Sequence, residues 1–413
     1  MKEVLSKLTK KKFAKKSKKI VIAAGGTGGH IFPALYLAKR CIDDGYYVCF
    51  VTDKRFYKVV SSDFIDVIHS KMINITCINI GKPKSRFLSI KYIFSISILC
   101  LKMFGLCMNS RFSVAIGFGG YVSFPLIIGA FFSRTKSLIH EQNTYLGSVN
   151  YVSSFISSYV LTSFPETKNI NSLVKHKVIH TGMPINDKFD QYHYKYESNL
   201  INYRTFFKVY QKINLVIMGG SQGAKIFSDI VPSALLKLPQ EIRDKLNIFQ
   251  QCRNEEEVSV VEKIYRENNI SHNVRTFFPK SYDLFAIAHL LIARAGGGTI
   301  AEITATGTPS ILVPYKYAKN NHQFLNALKL LQVGGCAMLN EDEMNPDNLR
   351  NIVLSLALDE DNLLHMSNQA KSLYNKDSCG NVKRIIDIVT GNCVGNTLGS
   401  KTTHKDVDVV GLG

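Results

Sequence analysis

A short apolar run, a glycine-rich loop and a helical pattern follow one another twice in this chain, and that recurrence constrains its fold more than any other feature. Ile20 to Ala24 (IVIAA) leads into GGTGGH (25–30) and then IFPALYLAKRCID; from Asn214, NLVIM leads into GGSQGA (219–224) and KIFSDIVPSAL. Asp43, Asp44 and Gly45 supply a turn after the first helix, and YYVCFVTD (46–53) reads as the next strand. A strand, helix, strand unit of this kind requires a parallel sheet. SVAIGFGG (113–120), SLIHEQN (137–143) and VLTSF (160–164) extend the first half; NIFQQC (247–252), LLIARAG (290–296) and SILVPY (310–315) extend the second. A chain of 413 residues is too long for one ordinary core. The expected fold class is α/β, two Rossmann-like domains whose parallel sheets face each other across a cleft, because ligands bind at the carboxyl ends of parallel strands. The expected boundaries are a basic extension over 1–19, a first domain over 20–182 completed by a C-terminal helix around 370–390, a second domain over 187–369, and a flexible tail over 392–413.

With 46% hydrophobic and 20% charged residues, the chain has the balance of one that buries a core. Its 51 Lys and Arg against 32 Asp and Glu leave a net charge of +19, which implies an anionic partner: nucleic acid, acidic lipid or a phosphorylated substrate. Part of that excess is local, in Lys2, Lys7, Lys10, Lys11, Lys12, Lys15, Lys16, Lys18 and Lys19 ahead of the first strand. A solvated tail and a segment drawn to anionic lipid headgroups both fit this run. No sequence-reading nucleic-acid motif accompanies it, so nucleic acid is not an expected partner. Nine cysteines, from Cys41 to Cys393, form no CxxC pair and read as buried, reduced thiols rather than a disulfide frame or zinc site. The basic head is not followed by the apolar segment and cleavage site of a secretory signal, so the product is expected to remain inside the cell. Between Phe87 and Met108 lies the most membrane-like stretch, but Lys91 and Lys102 divide it to about half the roughly 20 residues a spanning helix needs. Leu88, Tyr92, Phe94, Ile96 and Leu99 recur at helical spacing with Lys82, Lys84, Arg86, Lys91 and Lys102 around them, which fits an apolar face flanked by cations or a buried crossover helix.

Three glycine clusters each follow an apolar strand directly: GGTGGH, GFGGY (117–121) and GGSQGA. Glycine permits positive φ and close approach, so that successive N–H groups converge on phosphate oxygens at a helix N-terminus. Two phosphate-bearing ligands are therefore expected, one for each half; a plain tight turn remains open for GFGGY. A nicotinamide site fits poorly, because the opening loops lack GxGxxG spacing and the next strand offers only Asp53 for a ribose. GxxxxGK[ST] does not occur, which removes the P-loop ATPases. In the fourth constellation, ARAGGGTIAEITATGTPSILVPYKYAKNNHQFLNA (293–327), Gly296, Gly297 and Gly298 open a helix that suits a diphosphate. Glu302, on its first turns, can accept two hydrogen bonds from a ribose diol or simply complement the helix dipole.

GGTGGHIFPA, GFGGYVSFP, HEQN, GGSQGA, the RAGGGTIAE helix start and HQFLNA occur in the order and at about the spacing of the MurG family of glycosyltransferases, which this chain resembles from about residue 20 to 390. The resemblance implies the GT-B fold and transfer of N-acetylglucosamine from UDP-GlcNAc to the C4 hydroxyl of undecaprenyl-diphosphate-linked muramoyl-pentapeptide (lipid I), with inversion at the anomeric carbon. It implies a peripheral enzyme on the cytoplasmic face of the inner membrane, with UDP-GlcNAc, lipid I, an anionic membrane surface and other cell-wall and division proteins as partners. By resemblance, Ser221 and Gln222 lie near phosphate and sugar, Glu302 on the ribose, Phe278 near uracil, and His322 and Gln323 toward the sugar hydroxyls. Gly296, Thr299 and Arg294 meet the leaving-group charge, and Thr27, Gly28, Gly29 and Asn143 also face the donor. The lipid diphosphate falls to Gly25, Gly26, Gly119, Gly120 and Tyr121, with Asn186 and Lys188 from the linker. His30, at the tip of the first loop, is the candidate base, since an unperturbed imidazole titrates nearest neutrality; Glu141 is the alternative base, and Asn143 orients the acceptor.

Two positions depart from the family pattern. The linker usually reads GNPVR, whereas Gly182, Met183, Pro184, Ile185 and Asn186 stand here, so an arginine expected to face a diphosphate is missing. Lys188 is the expected substitute, as a point charge without bidentate geometry. Ala295 stands where serine is common. No metal-ligand cluster is evident, and Asp406-Val407-Asp408 in the tail is too short a match to indicate one, so metal-independent chemistry without a cofactor is expected. Competing readings are another lipid acceptor, epimerisation of UDP-GlcNAc, and a non-catalytic nucleotide-sugar-binding protein.

Overall fold

The computed structural model describes residues 18–56, 64–78, 90–197 and 212–391. Expectations for the basic head, for Lys82, Lys84, Arg86 and Leu88, for the side chains of Lys91 and Tyr92, and for the polar tail fall outside the described residues. In the first half, β1 (Lys19–Ala23), β2 (Tyr47–Thr52), β3 (Ile73–Cys77), β4 (Val114–Gly117), β5 (Lys136–Glu141), β6 (Tyr159–Thr162) and β7 (Val178–His180) form one parallel sheet in the order β3-β2-β1-β4-β5-β6-β7. In the second, β8 (Ile213–Met218), β9 (Leu246–Gln251), β10 (Ser271–Arg275), β11 (Leu290–Ala293), β12 (Ser310–Leu312) and β13 (Ala337–Met338) form another in the order β10-β9-β8-β11-β12-β13. The fold is α/β, of the two-sheet type expected.

One-turn helices aside, the helices are α1 (Gly28–Asp43), α2 (Ile90–Ser110), α3 (Gly120–Phe132), α4 (Ser148–Ser154), α5 (Asp187–Glu197), α6 (Lys225–Leu236), α7 (Glu255–Glu267), α8 (Ser281–Ile287), α9 (Gly297–Thr306), α10 (His322–Gln332), α11 (Pro346–Ala357), α12 (Glu360–Ser372) and α13 (Ser378–Thr390). Continuous apolar strands are buried on both faces, as parallel sheets require. Ile20, Ile22, Val48, Phe50 and Ile116 pack with Ile31 and Leu35 of α1 and with Val382 and Ile386 of α13. On the other face, Val21, Ala23, Val51 and Ala115 meet Leu99 and Met103 of α2 and Val122 and Leu126 of α3. The second sheet lies between α6, α7 and α11 on one face and α8, α9 and α10 on the other. The last helix thus returns to the first half: the Tyr46 hydroxyl donates to Asp387, and Lys383 pairs with Asp44 at 3.1 Å and Asp387 at 2.9 Å.

Four strands were not foreseen: β3, β7, β10 and β13, which are the four sheet edges. An edge strand has a neighbour on one side only and tolerates polar residues, as in SHNVR of β10, so its apolar signal is weak.

The membrane-like stretch needs correction. α2 is a continuous helix whose window Ile93–Ser110 has mean hydropathy 1.6, long and apolar enough by length and composition to cross a membrane, because one lysine does not break an 18-residue run. It is a crossover between β3 and β4, but not a buried one. Leu99, Met103 and Cys107 pack inward, while Ile93, Phe94, Ile98, Leu101 and Met108 stay exposed, beside Phe131 and Phe132 at the end of α3. The cysteines are also less uniform than expected: the described ones form no disulfide, but Cys77 is exposed and Cys100 partly so.

Candidate active site

Each glycine loop leaves the carboxyl end of a central strand and opens a helix. In the first, Gly26 adopts φ +97°, and its N–H donates to Asp53 Oδ2 at 3.0 Å. Thr27 is the N-cap of α1 but gives the helix no side-chain cap; its hydroxyl instead meets His30 Nδ1 at 3.2 Å. The His30 N–H already bonds the Thr27 carbonyl at 3.1 Å, so the amides of Gly28 and Gly29 are the ones that keep their donor capacity. The second loop closes over the first. Gly119 and Gly120 have φ of +80° and +72°; a Cβ on Gly119 would lie 3.1 Å from His30 Nε2, and one on Gly120 would lie 2.7 Å from the Gly25 carbonyl oxygen. Only glycine fits here, and the consequence is an imidazole pinned between two loops. Burial, then His322 and Arg55 nearby, pushes the His30 pKa down to about 4, which leaves the ring neutral. Tyr121 follows on the exposed first turn of α3.

The second half presents matching loops. Gly220 and Gly223 have positive φ, Ser221 and Gln222 are exposed at the tip, and α6 has no side-chain cap. The α9 start at Gly296 is likewise uncapped, with Thr299 on its first turn. The halves are in contact at these loops. A Cβ on Gly28 would approach Ser221 Cβ to 2.6 Å, and one on Gly297 would lie 2.0 Å from the Gln142 carbonyl oxygen. Asn326 ties the contact together, accepting from Thr144 N (2.9 Å) and Thr144 Oγ1 (3.0 Å) and donating to Asn143 Oδ1 (3.1 Å) and the Ala295 carbonyl (3.0 Å). Sequence reasoning passed over Asn326 although it stands in HQFLNA; nothing local marks it, because its partners in the first half, Asn143 and Thr144, are 183 and 182 residues away.

Glu302 is half-buried; its carboxylate has no hydrogen-bond partner among the described residues, and burial pushes its pKa up to about 8. His322 bonds the Lys319 carbonyl through Nδ1 at 2.7 Å, after two residues, Asn320 and Asn321, both in left-handed backbone. Gln323 Oε1 accepts from Tyr315 N at 3.0 Å, leaving its amide group for a ligand.

Four of the expected site residues are committed to other contacts. The buried Glu141 carboxylate accepts from Asn143 N (3.1 Å), Asn143 Nδ2 (3.3 Å), Gly147 N (3.0 Å) and Asn150 Nδ2 (2.8 Å), so its oxygens hold the loop. Arg294 is held within the second half. It is buried between the rings of Phe227 and Tyr315, paired with Glu341 at 3.0 Å and bonded to the Val313 carbonyl at 3.1 Å. Phe278 is a core residue packed with Leu284 and Phe285; its neighbour Phe277 is the exposed ring. Lys188, the expected substitute for the linker arginine, bonds Asn186 Oδ1 through its N–H (3.0 Å) and Gln191 through Nζ (3.2 Å), which engages both residues at the start of α5.

The chain matches the glycosyltransferase family 28 N-terminal domain over residues 20–162 and the C-terminal domain over residues 214–380. It is 32% identical over 372 residues to the UDP-N-acetylglucosamine–N-acetylmuramyl-(pentapeptide) pyrophosphoryl-undecaprenol N-acetylglucosamine transferase of Paramagnetospirillum magneticum, covering 90% of this chain and 96% of that one. The protein of the same name from Rickettsia felis is 35% identical over 343 residues, with 82% and 91% covered. Among solved structures, MurG of Acinetobacter baumannii superposes with a TM-score of 0.69 at 24% identity, covering 91% of this chain and all of that one. A UDP-GlcNAc 2-epimerase from Neisseria meningitidis bound to UDP-GlcNAc shares the fold at a TM-score of 0.58 and 15% identity, with 90% and 99% covered. With its opposed glycine loops and these relatives, the chain belongs to glycosyltransferase family 28 and, within it, to the MurG family.

Proposed function

We propose that the cleft transfers N-acetylglucosamine from UDP-GlcNAc to the C4 hydroxyl of undecaprenyl-diphosphate-linked N-acetylmuramoyl-pentapeptide, a step of peptidoglycan synthesis. The chain is a UDP-GlcNAc-dependent N-acetylglucosaminyltransferase. The observation that carries the reading is His30, neutral and pinned by Gly119 where uncapped helix starts from both halves converge.

The chemistry is a single displacement. The acceptor C4 oxygen bonds to the anomeric carbon as the bond to the β-phosphate oxygen breaks, inverting that carbon; His30 takes the hydroxyl proton and UDP leaves with the bonding pair. In the tautomer that donates from Nδ1 to Thr27 Oγ1, Nε2 keeps the lone pair the base requires. The first half, 20–182 with the helix around 370–390, serves the acceptor and membrane; the second, 187–369, serves the donor. Helix starts at Ala224 and Gly296, with Ser221, Gln222 and Thr299, carry the diphosphate charge of departing UDP without a divalent ion. Glu302 takes the ribose, Phe277 rather than Phe278 lies by the uracil, and His322 and Gln323 take sugar hydroxyls. EDTA-treated enzyme is expected to keep its transfer rate; loss restored only by Mg²⁺ or Mn²⁺ would overturn the metal-independent reading.

The exposed face of α2 and α3, with Ile93, Phe94, Leu101, Phe131 and Phe132, docks on the cytoplasmic face of the inner membrane, placing the acceptor loops near a lipid-linked substrate. Phe94→Asp with Phe132→Asp should abolish flotation with anionic vesicles while leaving UDP affinity intact. The function itself is tested by transfer of radiolabelled N-acetylglucosamine to a short-chain lipid-linked muramoyl-pentapeptide. A folded, UDP-binding wild type that transfers nothing would refute it.

A further inference from the structure

We propose that Arg55 binds the diphosphate of the lipid-linked acceptor and that Asp53 is its positioning residue; this rests on the acceptor reading above. β2 ends at Thr52, so both residues lie at the carboxyl edge of the first sheet, beside the first glycine loop. The Asp53 carboxylate is nearly buried, and its two oxygens are surrounded by four donors. Oδ1 accepts from Arg55 N and Nε, both at 2.9 Å; Oδ2 accepts from Gly26 N at 3.0 Å and Arg55 Nη2 at 2.6 Å. One carboxylate therefore fixes the loop backbone and the guanidinium in a single frame. These bonds also hold the Asp53 pKa down against the opposing effect of its burial, so the pair stays ionised.

The guanidinium is laid over the loop. A Cβ on Gly26 would lie 3.7 Å from Arg55 Nη2 and 3.8 Å from Nη1, with nothing else closer. Arg55 is 38% exposed whereas Asp53 is 7% exposed, so a ligand entering over Gly26 meets the cation and not the carboxylate behind it. Nη1 has no hydrogen-bond partner among the described residues, and its N–H groups, with the amides of the α1 start, point to an oxyanion ligand. A fork already immobilised by a bidentate partner loses little further entropy on binding. The position also accounts for the missing linker arginine: Asn186 and Lys188 are engaged at the start of α5, and the loop after β2 supplies an arginine to the first-half diphosphate instead.

A diphosphate over this loop has two possible sources, the acceptor and the donor. The donor diphosphate has its own loops at Ser221 and Gly296, and Arg55 belongs to the opposite half, which favours the acceptor. Initial rates of the full-length enzyme with UDP-GlcNAc and a short-chain lipid-diphosphate muramoyl-pentapeptide separate the two. Arg55→Ala should raise the acceptor KM by about tenfold to a hundredfold, as expected for loss of a charge-assisted hydrogen bond, with donor KM and UDP affinity within twofold of wild type. Arg55→Lys should restore part of the loss, and Asp53→Asn should raise the acceptor KM less than Arg55→Ala. An unchanged acceptor KM in an Arg55→Ala enzyme of wild-type thermal midpoint overturns the proposal, as does a rise confined to the donor KM. Should Arg55→Ala fail to fold, Arg55→Lys decides, an intermediate acceptor KM supporting the proposal and a wild-type value overturning it. A wild type without transfer refutes the functional reading separately; Arg55 is then judged by equilibrium binding of geranyl diphosphate, where a tenfold weakening in the variant supports the role and equal binding overturns it.

Discussion

Helices in this molecule begin in two ways. Those opening onto the cleft, α1 at Thr27, α3 at Gly119, α6 at Ala224, α9 at Gly296 and α10 at Asn321, have no side-chain cap. Of those starting elsewhere, α7 at Asn254, α11 at Asn345, α12 at Asp359 and α13 at Asp377 are each capped by the Asn or Asp at that position, whereas the two-turn helices α4 at Gly147 and α8 at Lys280 are not. A cap is worth about 1 kcal/mol, so the cleft gives up stability at several helix starts. What it retains is a set of N–H donors and positive helix ends aimed at one space, which an anionic ligand can satisfy and an asparagine would block. Function is written where the local rule for stability is set aside.

The strongest way to sharpen this contrast is to remove the base and leave the helix starts untouched. His30→Ala should lower kcat by about 10² to 10⁴-fold with UDP affinity unchanged; a parallel loss of UDP binding would mean the imidazole helps build the donor site. The pH profile carries the sign. Because the His30 pKa is lowered, the neutral base persists as pH falls below the usual imidazole value, and the acid limb of kcat/KM should lie near 4 rather than near 6.5. The same lowering means that this residue's contribution to stability is complete above about 6.5 and lost as pH falls toward 4.

Next in size is a change at a cleft start that adds bulk alone. A Cβ at Gly297 would meet the Gln142 carbonyl at 2.0 Å, so Gly297→Ala forces the halves apart. Steady-state rates should show kcat/KM reduced on the order of 10²-fold, the consequence of misplacing reactants by about an ångström. Wild-type rates would show that the two halves need not meet at this point.

How far the site can be read without coordinates follows from the same contrast. Central strands were legible because burial on both faces makes them continuously apolar, as in IVIA and LLIA, whereas the four edges were not. The glycine loops were legible because positive φ and close approach are written in residue type; Gly119 against His30 is the example. Side-chain commitments were not. Glu141 and Arg294 have the right chemistry for catalysis, but their partners, Asn150, Gly147, Glu341 and Phe227, are reached only through the fold. Asn326 escaped for the opposite reason, being an unremarkable residue until the two halves meet.

A smaller effect is expected where a half-buried carboxyl waits at an uncapped start. Burial holds the Glu302 pKa near 8, so the unliganded carboxyl is largely protonated at pH 7, while a ribose diol favours the ionised acceptor. UDP binding should therefore release a proton at pH 7 and strengthen from pH 6 to 8, measurable by calorimetry in buffers of different ionisation enthalpy. Glu302→Gln should weaken UDP by about tenfold and flatten the dependence. Proton-neutral binding would remove the carboxylate from the ribose.

The smallest effects decide whether the contrast itself is right. Asn345 Oδ1 accepts from Asp347 N at 3.1 Å and Asn348 N at 2.9 Å, a cap remote from the cleft, so Asn345→Ala should cost about 1 kcal/mol of stability and leave kcat/KM alone. Gly29 is the converse case. Its φ is ordinary and an added Cβ would meet only Thr27 Oγ1, at 3.8 Å, so Gly29→Ala should gain up to about 0.5 kcal/mol from restricting the unfolded chain. That methyl projects from the first turn of an uncapped start, in the approach of a phosphate oxygen, and should raise a substrate KM even as the melting temperature rises. Opposite signs of stability and activity at Gly29, with stability alone affected at Asn345, are what a division between ligand-capped and self-capped helices requires. If Gly29→Ala gains stability and keeps both KM values, the first glycine loop serves the fold rather than an anion, and α1 belongs with the structural helices.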